Sequence, residues 1–203
     1  MILARAFFER PTLTVASDLL GKVLVHRSPD GLTAGAIVEA EAYIGEDDPA
    51  CHASAGLTRR NAPLFGPPGY AYVYLNYGIH FLFNVVTEAD GHPAAVLVRA
   101  LEPLEGLPLM RKRRAADRRS GLVPDHELCK GPGALARAMG IDLGHNRVDL
   151  CPEATQPCLY LDDRGIRPQE IAWTARVGIT NGAERPWRCH VADHPSVSGR
   201  PSR

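Results

Sequence analysis

The chain has 203 residues, 45% of them apolar, and its 23 acidic and 23 basic side chains cancel to a formal charge of zero. That length suits one ordinary domain with a proper core, and no apolar run approaches the roughly 20 residues of a membrane span. Neutrality excludes a surface coated in positive charge, though it leaves room for a local basic patch. The first residues lack a signal-peptide layout, because Glu9 and Arg10 interrupt the apolar run, so the expected location is cytoplasmic, with the nucleoid if the source is bacterial. Five cysteines without a C-x-x-C pair are expected to be reduced thiols. Cys189, His190 and His194 are followed by Pro195 and lack neighbouring ligands, so no metal is expected there. Lysine occurs only at Lys22, Lys112 and Lys130. Arginine therefore carries the positive charge, which suits bidentate phosphate contacts and not Schiff-base chemistry.

Taken in order, Thr14 is a candidate cap for a helix through Leu20, stopped by Gly21. Lys22 to His26 and Leu32 to Tyr43 read as strands joined by the turn Ser28-Pro-Asp-Gly31, with Gly35 marking a bulge. In the second strand Ile37, Glu39, Glu41 and Tyr43 fall on one side, and Ala36, Val38, Ala40 and Ala42 on the other. The simplest expectation is a small apolar face and a wet carboxylate face. Two carboxylates and a phenol, followed by Gly45 and an acidic loop ending at His52, also form the set that general-base chemistry beside a flat aromatic pocket needs.

Thr58-Arg59-Arg60-Asn61 reads as a loop whose arginines are either solvated or, beside a cleft, phosphate contacts. Tyr70, Tyr72 and Tyr74 share one strand face, Asn76-Tyr77-Gly78 is a tight turn, and Ile79 to Val86 returns. A tyrosine at a hairpin tip points outward, where stacking on bases or wedging between them is its natural use; a tyrosine-rich hairpin packed on a core is the plainer alternative. Glu88-Ala-Asp-Gly91 turns into a strand over Ala94 to Ala100. Arg99 there needs a carboxylate or phosphate partner, Glu41 being a candidate, unless it reaches solvent at a strand edge. Leu109 to Arg119 reads as a helix whose basic run, Arg111 to Arg114 with Arg118 and Arg119, is ordinarily a solvated face. Lys130-Gly-Pro-Gly133 opens a second helix ending at Gly140, and its first amides form a ready anion site. Cys158 to Leu161, Ile171 to Ile179 and Trp187 to Val191 complete the strands, with Ile171, Trp173, Ala175 and Val177 as a core face. One domain is expected over residues 1–194, with a frayed tail over 195–203.

Together these motifs resemble the alkyladenine (3-methyladenine, or methylpurine) DNA glycosylase family nearly end to end. The resemblance rests on Glu39-Ala-Glu-Ala-Tyr43 with His52, Tyr72-Val-Tyr-Leu-Asn-Tyr-Gly78 with Asn84, Arg99-Ala-Leu-Glu-Pro103, Gly131-Pro-Gly133 and Ala175-Arg-Val-Gly178. It implies an α+β fold: a single mixed domain with a curved antiparallel sheet, flanking helices and a protruding hairpin that enters the DNA minor groove. It implies a monofunctional glycosylase of base excision repair, working as a monomer without a cofactor on double-stranded DNA that carries a damaged purine. Alkylated or deaminated purines of the 3-methyladenine, 7-methylguanine, hypoxanthine and ethenoadenine class would be flipped out and their N-glycosidic bond hydrolysed. By the same resemblance Glu41 is the general base, holding water with Arg99 and the backbone carbonyl of Val177. Tyr43 and His52 stack on one face of the base and Tyr74 on the other, Asn84 crowds the 2-amino group of guanine, and Tyr77 is the wedge. Arg59, Arg60, Asn61, Lys130, Gly131 and Gly133 are expected at the DNA. One departure is Ala134, where the family commonly has a lysine.

Overall fold

The proline-free stretch from Gly31 to Ile44, rich in β-branched and small apolar residues, becomes the longest strand and the centre of the sheet. A computed structural model of the chain describes residues 1–115, 122–152 and 157–199. Its strands are β1 (Val23–Ser28), β2 (Gly31–Ile44), β3 (Ala71–Asn76), β4 (His80–Val86), β5 (Ala94–Glu105), β6 (Leu159–Asp162), β7 (Ile171–Thr174) and β8 (Arg188–Val191). The helices are α1 (Arg5–Phe8), α2 (Thr12–Leu19), α3 (Leu107–Arg114) and α4 (Pro132–Met139). The strands form one curled antiparallel sheet in the order β3-β4-β5-β2-β1-β6. Along one edge β2 pairs with β5 throughout; along the other its first half pairs with β1 and its second with β8, which in turn carries β7. This is the single mixed α+β domain that the sequence suggested.

Helices cover one face of the sheet, and Phe8, Val15, Leu19, Phe83, Val98, Leu101, Leu135 and Met139 belong to the main core there. A smaller cluster on the opposite face gathers Cys51, Leu64, Tyr72, Val86 and Ala95, with Tyr43 and Tyr74 packed against it. The alternation of β2 sorts its residues between these two faces, with one interruption. Glu39 pairs with Ala100 and Ala40 with Val98, so Val38 on β2 and Arg99 on β5 fall outside the ladder. That double bulge shifts the phase, and Ile37 lies in the main core with Ala40 and Ala42, not on the carboxylate side. The expected wet face is also dry: Glu39 and Glu41 are both 0% exposed. Alternation tells which residues share a face, not whether something covers it.

Other expectations shift for local reasons. Helix α2 begins at Thr12, directly after Pro11, rather than being capped by Thr14. Its first amide is satisfied from across the fold, the Thr12 N–H donating to Glu88 Oε1 at 3.0 Å. Helix α3 starts at Leu107, and its basic run is not simply solvated. Arg111 pairs with Asp125, Arg113 donates to the Ala138 and Met139 carbonyls at 3.2 and 2.8 Å, and Arg114 donates to the Glu127 and Leu128 carbonyls. Arg113 thereby caps the C-terminus of α4, where a cation also meets the negative end of the helix dipole. Arg118 and Arg119 lie outside the described residues. Strand β7 ends at Thr174, and Ile171, Trp173, Ala175 and Val177 are exposed instead of forming a core face. β7 is an edge strand paired only with β8, so its apolar side is left uncovered among the described residues. The tail is tied down as far as Gly199, with Ser196 and Ser198 buried; residues 200–203 lie outside the described residues. No helix among the described residues is long and apolar enough to cross a membrane.

Gly35 sits at a register shift between β2 and β5, and a Cβ there would meet the Glu102 carbonyl and the Leu101 Cβ, each at 2.9 Å. Gly35→Ala is therefore expected to lower the unfolding free energy by about 1–3 kcal/mol, read as a reduced urea midpoint.

Candidate active site

Three chain segments meet around Glu41: the carboxylate side of β2, the middle of β5 and the loop after β7. The Tyr43 hydroxyl donates to Glu41 Oε2 at 2.9 Å, and the Val177 N–H donates to Oε1 at 2.7 Å. The Arg99 Nη1 lies 3.3 Å from Oε2. The Val177 amide holds the carboxylate directly, a contact separate from the water-binding part that the resemblance gives its carbonyl. Burial pushes the Glu41 carboxyl above the ordinary glutamate range, and Arg99, the Val177 amide and the Tyr43 hydroxyl pull it only part of the way back. Burial, reinforced by Glu41, also pushes the Tyr43 phenol up, so that hydroxyl stays protonated and is a donor.

Arg99 does not choose between a carboxylate and solvent. Its Nε donates to Glu39 Oε1 at 2.9 Å and its Nη2 to Ser198 Oγ at 3.2 Å, while Nη1 faces Glu41. Glu39 also accepts from Arg188 Nε at 2.7 Å and from the Ser198 N–H at 2.7 Å. Burial alone would raise the Glu39 carboxyl, but Arg99 and Arg188 outweigh it and hold it below its ordinary range. Glu39, Arg188 and Ser198 were not among the site residues expected from the sequence. Glu39 carried the one available signal, its place two residues before Glu41 on the same side of an alternating strand.

Beside this cluster lies a cavity of about 750 Å3 lined by Tyr43, His52, Tyr74, Asn84, Arg99 and Val177, and reaching Tyr77, His80, Gly131 and Gly133. Glu41 sits behind that lining. His52 is fixed by the Tyr72 hydroxyl, 2.8 Å from its Nδ1. Burial, and then the charge of Arg60, lower its pKa, which keeps the ring neutral. Asn84 donates to the Tyr72 carbonyl at 3.0 Å, so its amide is held in one orientation at the wall. The His52 and Tyr74 rings meet at 4.5 Å between centroids and 63° between planes. A base sandwiched between two rings needs about 7 Å, twice the ~3.5 Å contact distance, so Tyr74 must swing away before a base can lie between them. Behind Tyr43 the Arg176 guanidinium stacks at 4.7 Å from the ring centroid. Arg176 is itself clamped by Asp48 through two bonds of 2.6 and 2.7 Å. Because Val177 is its neighbour, this buried pair also sets the amide that reaches Glu41.

At the far rim the β3–β4 hairpin turns through Tyr77 and Gly78, both at positive φ (49° and 69°), with the Ile79 N–H donating to the Asn76 carbonyl at 3.0 Å. Tyr77 is 88% exposed, and Ile79 and Leu75 are exposed beside it. Just below the tip the hairpin rests on α4, where Gly133 has the His80 ring so close that a Cβ would lie 2.8 Å from it. Gly131 takes a φ of 101° as the residue before α4. The remaining expected DNA contacts divide. Arg59 is exposed, and Arg60 donates to the Leu75 carbonyl at 3.2 Å. Lys130 is exposed and donates to the Pro195 carbonyl at 2.8 Å. Asn61 differs from these in exposure. It is buried, accepting from the Thr58 N–H at 2.7 Å and donating to the His52 and Gly56 carbonyls at 2.9 and 2.8 Å, so its side chain shapes the loop. Among the described residues no group of three or more His, Cys, Asp or Glu side chains is arranged to hold a metal ion.

The family model described as methylpurine-DNA glycosylase matches residues 6–195 of this chain. A protein of Methanocella arvoryzae named "Putative 3-methyladenine DNA glycosylase" is 48% identical over 202 residues, covering 98% of this chain and 96% of its own. Proteins with the same name from Salinibacter ruber and Burkholderia lata are 47% and 45% identical, covering 97% and 100% of this chain and 96% and 93% of theirs.

Asp48→Ala would strand the Arg176 guanidinium, whose side chain is 0% exposed. The expected cost is about 3–5 kcal/mol of unfolding free energy, measured by chemical denaturation.

Proposed function

The chain belongs to the methylpurine-DNA glycosylase family and is a DNA-repair hydrolase of N-glycosyl bonds, and from that premise we propose that it removes alkylated and deaminated purines flipped out of duplex DNA, using water activated by Glu41. The observation that carries this reading is a dry carboxylate made more basic by burial, behind an aromatic cavity whose rim bears an exposed tyrosine. A base inside the stack is out of reach of any such group, so the nucleotide has to leave the helix, and Tyr77 is suited to fill the gap. Tyr43 and His52 would take one face of the extruded purine and a displaced Tyr74 the other. Electron-rich rings favour a purine made cationic by ring methylation, as in 3-methyladenine and 7-methylguanine. Hypoxanthine and ethenoadenine fit the same flat slot, while Asn84, held by the Tyr72 carbonyl, would crowd the 2-amino group of guanine.

In the hydrolysis, water adds to the anomeric carbon as the bond to the purine nitrogen breaks. Glu41 takes the proton from that water, and its negative charge steadies the oxocarbenium character of the sugar. Arg99 would help hold the water. A cationic purine leaves neutral and needs no added proton. Arg59, Arg60 and Lys130, with the Gly131–Gly133 turn at the start of α4, are suited to grip phosphates, and one chain acting alone suffices for these roles. The enzyme would then work in the cytoplasm, on the chromosome.

The test is release of free base from duplexes carrying 3-methyladenine, 7-methylguanine, hypoxanthine or ethenoadenine, and no release from any of them would overturn the reading. Glu41→Gln is expected to cut single-turnover cleavage by ~10^2-fold or more while lesion binding changes little. Because the base must be ionised and burial raises its pKa, the wild-type rate should fall on acidification with a midpoint above that of an ordinary glutamate; a midpoint at or below the ordinary value argues against Glu41 as the base. Tyr77→Ala is expected to weaken binding to lesion DNA by roughly tenfold in a gel-shift titration, the scale of one lost base–aromatic stack.

A further inference from the structure

Glu39 is 0% exposed, stands two residues before Glu41 on the same side of β2, and the hydrolysis described above gives it no part. It nevertheless accepts three polar contacts: from Arg99 Nε at 2.9 Å, Arg188 Nε at 2.7 Å and the Ser198 amide at 2.7 Å. Arg99 is thus bound by its Nε edge to Glu39 and faces Glu41 only with Nη1, at the longer distance of 3.3 Å. A guanidinium beside a single carboxylate prefers the two-bond fork, and that fork would occupy the lone pairs of Glu41 that must receive a proton. The double bulge of β2 and β5 brings this about by lifting Arg99 out of the ladder between the rungs Ala40–Val98 and Glu39–Ala100.

We propose that Glu39 is a positioning residue for hydrolysis: with Arg188 and the Pro195–Gly199 segment it anchors Arg99 by one edge, so that Arg99 orients Glu41 without closing a two-bond pair on it. The proposal rests on the reading of Glu41 as the base. Two carboxylates then face two guanidiniums, and the buried cluster is electrically neutral when Glu41 is ionised. The other titratable groups facing Glu41 are Tyr43 beside it on β2, Tyr74 on β3, Arg176 on the loop after β7 and Cys189 on β8. None of these replaces Glu39 as an anchor for Arg99.

The experiment compares wild type, Glu39→Gln and Glu39→Asp in single-turnover release of hypoxanthine and 3-methyladenine, across pH, with lesion binding measured separately and folding checked by circular dichroism. For Glu39→Gln the rate constant is expected to fall about tenfold or more with binding within a few-fold. Its acid limb should move to lower pH, because a like charge is lost and Arg99 is freed to close on Glu41. Glu39→Asp keeps the charge but shortens the anchor, so its limb stays near the wild-type position while the rate drops several-fold. A folded Glu39→Gln with wild-type rate and limb overturns the proposal. Should Glu39→Gln not fold, Glu39→Asp decides alone, and a wild-type rate in that variant overturns it equally. If the wild type itself releases no base, the proposed function has failed; if it is active and the Glu39 variants match it, only the positioning role has.

Discussion

Two carboxylates on one strand, sealed from water and crossed by one guanidinium, set the terms for the rest of the molecule. Removing a charge from water costs several kcal/mol or more, repaid only by close and well-aligned partners. Glu39 and Glu41 therefore dictate where Arg99, Arg188, Val177 and Ser198 lie, and those residues dictate the bulge, the loop after β7 and the course of the chain past His194. The Asp48–Arg176 pair repeats the device one layer out, beneath Tyr43. The Tyr43 wall of the cavity is thus held from behind by a buried ion pair and not by soft packing alone.

What was legible in the sequence was local. The alternation of β2 put Glu41 and Tyr43 on one side, Asn76-Tyr77-Gly78 marked a turn with an outward tyrosine, and Gly140 closed α4. Each follows from backbone geometry within a few residues. What was not legible came from partners far along the chain. Arg188 and Ser198 lie 149 and 159 positions beyond Glu39, and no periodicity reports a contact across that distance. The same limit explains the misplacement of Ile37 and the exposed Trp173. A bulge shifts the phase of a strand, and exposure depends on whether a neighbouring layer covers it. Asn61 belongs with these, since a polar residue in a loop looks the same on paper whether it turns outward or stitches the loop together.

The walls of the site are not braced equally. Tyr43 is braced by Arg176, His52 by Tyr72, and Asn84 by the Tyr72 carbonyl. Tyr74, by contrast, rests edge-on against His52 and is only half-buried. On the proposed reading, Tyr74 is the one wall of the pocket that has to give way, so the outline of an extruded base would be checked there, which suits a protein that meets many sound bases for each damaged one.

The distances in sequence within the Glu39 cluster have a consequence for safety. Positions 39, 99, 188 and 198 must all be docked at once for the cluster to exist, and each belongs to a different part of the fold. Local melting at any of them would dismantle the cluster while leaving in place the basic loops and the hairpin proposed to meet DNA. If the proposed roles hold, a damaged or half-assembled molecule would keep its grip on DNA but lose the chemistry, so loss of order would act as a safeguard.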